Sequence, residues 1–300
     1  MFMAMKKIYS WGSSILLGLS LFSACTTRKT PVDIDSQPAA LPSASTPSKT
    51  VPSLEIPTIT ILSVEKATIQ ATDLEPLPAV ELCSPIEGMP RQELENSVVT
   101  PFLPPLPGSD DPHHGVDLAD IDPDSGFALE GRRVNALMGG KVAGVILNRF
   151  PYGNGIILEA PLRNIAAGWV DSLDLPVIQP VDLSASPLTC PSMMPPAVSA
   201  EMSGRSLYFL YAHLKDPLAY EPGEWVTCGQ QLGNIGSTGN SINPHLHLEV
   251  RVGMENIPLG SMAHYDASAT IDEMNTYCLW RISGYFQRID PMKLISYIRD

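Results

Sequence analysis

Three hundred residues with 32 acidic against 19 basic side chains carry a formal net charge of −13. Such an acidic surface excludes holding nucleic acid or another polyanion by bulk charge, which needs a basic face that displaces counter-ions. The length allows one large domain or two ordinary ones, and a hydrophobic share of 44% is enough to build a core.

In chain order, Lys6 and Lys7 precede an apolar run and small residues, "SILLGLSLFSAC". A basic start, a short apolar stretch and a small-residue cut site make an export signal, interrupted too often to span a membrane. Its end, "LFSAC", resembles the bacterial lipobox, which implies cleavage after Ala24 and lipid on Cys25. Residues 1–24 are therefore expected to be a lipoprotein-type signal peptide, with the membrane a partner through Cys25. Losing Lys6 and Lys7 leaves 17 basic against 32 acidic side chains, so a lipid rather than a basic patch would localise the protein. One acyl chain binds a membrane marginally; the two or three that the resemblance implies anchor firmly.

Residues 25–82 form a Pro/Ser/Thr/Ala-rich linker, as in "SQPAALPSASTPSKTVPS". This composition buries too little apolar surface to offset ordering entropy, so a disordered tether is expected, although "IPTITILSVEKATIQA" could form a strand or two.

From Cys83 to residue 300 the texture changes. "KVAGVILNRF", "GNGIILEA", "SLYFLYAHL" and "HLHLEVRVG" are β-rich runs separated by glycine-bearing turns, and only the end, "PMKLISYIRD", reads as helical. The spacing predicts a mainly β domain with an antiparallel sheet core and a set of groove-lining loops. Leu248 to Val252 alternates apolar and charged residues as a half-buried strand does. Residues 161–205, with seven prolines, exceed the two to five residues of a hairpin and read as an insertion. Cys83, Cys190, Cys228 and Cys278 suggest two disulfides with three possible pairings. A four-cysteine zinc site is the alternative, without any CxxC pair to support it.

Chemistry concentrates in the histidines. His245 and His247 are two apart on a strand and project into one volume. In "DDPHHGVDLAD", His113 and Asp117 are four apart. With His247 they would supply two imidazoles and a carboxylate, a set typical of catalytic zinc, which keeps its fourth position for a water acidified towards neutrality. Each motif alone also fits something plainer, a surface ion pair for HxxxD or a packed strand for HxH.

Together with "VNALMGGKVAGV", "YGNGIILEA", "YAHL", "VTCGQQLGNIGSTGNSINPHLHLEVR" and "IDPMKLI", these motifs resemble the lysostaphin/LytM-type zinc endopeptidases of bacterial cell walls, over roughly residues 100–160 and 206–295. The resemblance implies His113, Asp117 and His247 as ligands of Zn2+, and His213 and His245 as catalytic imidazoles beside it. Histidine can take a proton from water or donate to an oxyanion, and which of the two does which stays open. His114 is expected behind the site or lining the groove rather than as a ligand, and His264 as an ordinary surface or loop histidine. Glu249 could fix the His247 tautomer or form a plain cross-strand ion pair. The "GSTG" glycines serve turns, with no lysine for a phosphate loop.

What the resemblance implies is an exported zinc endopeptidase of the cell envelope, cutting peptidoglycan cross-links or stems. Residues 161–205 depart from the compact family pattern and are expected to wall the groove and limit substrate access. The alternative is a non-catalytic envelope protein that binds wall peptides or activates another hydrolase. A zinc peptidase acting on a secreted protein would use the same site.

Overall fold

The computed structural model describes residues 80–184, 186, 188–190 and 204–297. The export signal, Cys25 and the linker up to residue 79 lie outside them. No helix among the described residues is long and apolar enough to cross a membrane.

The four β-rich runs form the centre of one sheet. β4 (Gly140–Arg149) and β5 (Gly153–Pro161) make a hairpin, β6 (Arg205–Leu214) pairs with β5, and β9 (Leu246–Met254) pairs with β6, all antiparallel. Short strands complete it: β2 (Val116–Leu118) on β9, β1 (Val98–Thr100) outside β2, β7 (Trp225–Val226) on β4, and β10 (Gln287–Ile289) also on β9. β3 (Arg133–Asn135) and β8 (Gln231–Asn234) form a separate two-stranded ribbon. The antiparallel β core expected from the sequence is therefore present.

Both faces of this sheet are covered. Leu246, Leu248, Val250, Phe209 and Tyr211 point into one apolar cluster, while Tyr208, Leu210, Ile157 and Tyr152 point into a second. The second is roofed by a helix, α2 (Ile271–Arg281), through Tyr277, Cys278 and Trp280. The charged face of β9 is thus buried rather than solvated: Glu249 and Arg251 are both 0% exposed. This corrects the half-buried strand expected there, and mutual neutralisation is the physical reason it is possible.

Helix α2 was not expected; only the final helix, α3 (Pro291–Tyr297), was. A capping box starts α2: the Thr270 hydroxyl accepts from the Glu273 backbone N–H while the Glu273 carboxylate accepts from that of Thr270.

The cysteines form Cys83–Cys228 and Cys190–Cys278. The insertion 161–205 starts with a short helix, α1 (Ala167–Ser172), then runs beside the chain after α2, where Val181 N–H donates to Ser283 O. Cys190 within it is bonded to Cys278 of α2.

Candidate metal centre

Strand register brings the first two candidate ligands together. Asp117 on β2 stands directly opposite His247 on β9, so both side chains leave the same face at neighbouring positions. Gly115 allows β2 to lie this close, since a Cβ there would collide with Leu248 O and press on the His247 ring. His113 enters from the segment ahead of β2, where its backbone bridges Leu103.

The functional atoms form a tight triangle. His113 Nε2 is 3.1 Å from Asp117 Oδ1 and 3.2 Å from His247 Nδ1, and His247 Nδ1 is 2.8 Å from Asp117 Oδ1. Tetrahedral zinc with bonds of about 2.0–2.1 Å separates its ligand atoms by about 3.3 Å, so the triangle fits the ion. The tautomers fit as well. His113 Nδ1–H donates to Pro101 O at 2.8 Å, and His247 Nε2–H donates to Glu249 Oε1 at 3.2 Å. Both lone pairs therefore face Asp117, and three acceptors this close repel unless a proton or a cation lies between them. Burial disfavours the charged His247 ring, but Asp117 and Glu249 outweigh it and raise its pKa to about 9. Burial likewise opposes the Asp117 carboxylate, yet the His113 and His247 hydrogen bonds hold its pKa far below the usual range. Both shifts mark a site built to hold positive charge.

Two further imidazoles border the triangle. The His213 ring centroid is 4.8 Å from that of His245 and 5.7 Å from that of His247. His213 Nδ1 lies 2.7 Å from Thr238 O and His245 Nδ1 2.8 Å from Asn243 O. A carbonyl only accepts, so both Nδ1 atoms carry hydrogen and both Nε2 atoms are left as acceptors. Burial, then the charges of His247 and His245, push the His213 pKa down to about 3. His213 also has φ of +61°, a left-handed conformation unusual for a non-glycine residue and common where function holds the backbone.

All five residues line one cavity of about 490 Å³. Its walls come from 110–112, from Phe150, Pro151 and Tyr152 in the β4–β5 turn, from Asn240, and from Tyr265, Tyr277 and Arg281. No described residue of 161–205 lines it. The insertion instead holds the wall from behind: Thr189 O accepts from His264 Nε2 at 2.7 Å, and Cys190 binds Cys278 of α2. His264 lies in a loop, one of the two placements expected, but is buried there, 6% exposed, rather than at the surface. His114 is wholly buried behind the site, accepting from Arg251 Nη2 at 2.8 Å. The wall residues Tyr265, Tyr277 and Arg281 escaped the sequence reading, although the Thr270–Glu273 capping box signals the helix that carries two of them.

Glu249 accepts from His247 as expected, and it is ion-paired as well, though not across strands. Oε1 accepts from His247, Tyr152 and Arg281, and Oε2 accepts from Arg251 and Trp280. The ion pair runs along β9 to Arg251 rather than across strands. Glu249→Ala is expected to destabilise the protein by about 3–5 kcal/mol in urea unfolding, because it strands the buried Arg251 charge. A loss under about 1 kcal/mol would mean that this network does not hold the fold.

The family model for Peptidase family M23 matches residues 197–258. That segment contains His213, His245 and His247; His113 and Asp117 lie upstream of it. No curated protein matches. Among solved structures, the catalytic domain of lysostaphin from Staphylococcus simulans is 20% identical, covering 69% of this chain and 98% of that one, with a TM-score of 0.33. A structure described as an M23 peptidase from Pseudomonas aeruginosa is 18% identical over 58% of this chain, with a TM-score of 0.31. A zinc-containing peptidase from Vibrio cholerae is 22% identical over 54% of this chain, with a TM-score of 0.27. This chain spans 45% of the Pseudomonas chain and 34% of the Vibrio chain.

Proposed function

We propose that the chain is a lysostaphin/LytM-type peptidase of family M23, whose model matches residues 197–258, and that it is a zinc-dependent endopeptidase hydrolysing peptide bonds in peptidoglycan cross-links or stems. The observation that carries this is the convergence of His113 Nε2, Asp117 Oδ1 and His247 Nδ1 in one cavity with two non-ligand imidazoles.

His113, Asp117 and His247 are the residues that would hold the zinc. When bound, the ion supplies Lewis acidity and lowers the pKa of water towards 7. The chain's own residues do the rest. His213, neutral and with Nε2 an acceptor, is suited to take the proton from the attacking water. His245, more open to the cavity, can donate to the carbonyl oxygen once protonated or share the proton with His213. Glu249 holds the His247 ring in the tautomer that leaves Nδ1 free.

The organisation proposed with it is an export signal at 1–24, lipid on Cys25, a linker over 25–82 and the peptidase domain over 83–300. The protein would then act at the cell envelope from a membrane anchor. Incubating purified sacculi with the protein, with and without a chelator, and reading new peptide termini by mass spectrometry tests the proposal. Chelator-sensitive termini within cross-links or stems are expected; intact sacculi alongside a cleaved secreted protein would overturn the wall assignment.

A further inference from the structure

We infer that Arg281 is a positioning residue for the metal centre, one guanidinium bracing both chain segments that bring the ligands. Its Nη1 donates at 3.1 Å to Glu249 Oε1, the oxygen that accepts from His247. Its Nε donates at 2.6 Å to Asp110 Oδ1 and its Nη2 at 2.9 Å to Asp110 O, three residues ahead of His113. The Asp110 arm is itself fixed, since Oδ2 accepts from the hydroxyls of Tyr265 and Tyr277 at 2.8 and 2.9 Å. Arg281 sits at the end of α2, outside the family-matched segment, and Cys278 one turn earlier is bonded to Cys190.

The geometry gives this residue a task that burial alone does not. His113 and His247 are 134 positions apart in the chain, and their nitrogens must be kept 3.2 Å from one another. Near-apposition of β2 and β9 fixes Asp117 against His247, whereas His113, ahead of β2, is held by its bridge to Leu103 and by Pro101 O and has no pairing with β9. A guanidinium is a planar fork that donates along two edges at once, which suits it to link two segments at set angles. An ammonium group cannot reproduce both edges. The brace thus sets how far His113 stands from His247 and how the His247 ring is oriented. It rests on the reading that His113, Asp117 and His247 hold zinc.

The test uses the full chain purified with both disulfides formed. It measures zinc affinity by chelator competition, the visible spectrum of the cobalt-substituted protein, and thermal unfolding of the metal-free protein. Arg281→Met keeps the stem and removes the fork; Asp110→Asn weakens only the arm towards His113. The expected result is a zinc dissociation constant raised about 10- to 100-fold in Arg281→Met, with a smaller rise in Asp110→Asn and altered cobalt bands in both. Arg281→Lys should recover only part of the loss. A purely structural role would lower the metal-free melting temperature and leave affinity and cobalt spectrum as in the wild type, and that result overturns the brace. If Arg281→Met does not fold, unchanged affinity and spectrum in Asp110→Asn overturn it equally. Wild-type protein that binds no zinc, or His113→Ala that binds it as tightly, would refute the metal reading itself. Tight wild-type binding matched by the Arg281 and Asp110 variants refutes the brace alone.

Discussion

A His113→Ala variant is expected to lose its zinc and its peptidase activity together. The triangle has three donors, and removing His113 Nε2 leaves Asp117 Oδ1 and His247 Nδ1 2.8 Å apart. At that distance a proton shared between carboxylate and imidazole competes well with a two-ligand cation, and the remaining pair closes into an ordinary hydrogen bond. Catalytic zinc needs three protein ligands, and its affinity depends on those ligands being free of protons. Metal content by elemental analysis should fall to background, and wall cleavage with it. Retention of one zinc per chain in this variant would show that the ion is held elsewhere.

The second large effect separates chemistry from binding. His213→Ala should keep its zinc and lose about 100- to 10,000-fold in turnover, the usual worth of general acid–base help. His213 makes no contact with the ligand triangle closer than its ring packing, and its one strong hydrogen bond runs the other way, to Thr238 O. That bond pins Nδ1–H and leaves Nε2 facing the cavity as an acceptor. Burial and the neighbouring imidazoles keep the ring neutral down to about pH 3. The loss should fall on kcat more than on KM, because the group acts on the attacking water rather than on substrate binding. Loss of metal from this variant would mean that His213 is a ligand.

The strands were legible because each is a long apolar run bounded by glycine, and four of them appear within a residue or two of the expected bounds. The HxxxD and HxH motifs were visible because their spacings are fixed, and β2–β9 register sets Asp117 opposite His247. The other wall was not legible. Leu248 to Val252 alternates in a way that signals one wet face, yet that face meets α2, and nothing in β9 itself records a helix that covers Glu249 and Arg251. Long-range pairing decided the matter, as it did for the disulfides. The insertion's length suggests a groove wall; its described residues brace α2 from outside the cavity, and residues 191–203 lie outside the described ones.

The Cys83–Cys228 bond ties the chain just ahead of the β domain to the turn after β7. For a protein held from its N-terminal side while its groove grips a polymer, tension arrives first at Cys83. It crosses the sulfurs directly into the turn at Cys228, a separation of 145 positions along the chain. Edge strand β1 and the segment bearing His113 therefore stay outside the pulled path and are not peeled from the sheet. On the proposed function, such a protein could be tugged by the polymer in its groove and keep Asp117 in register with His247.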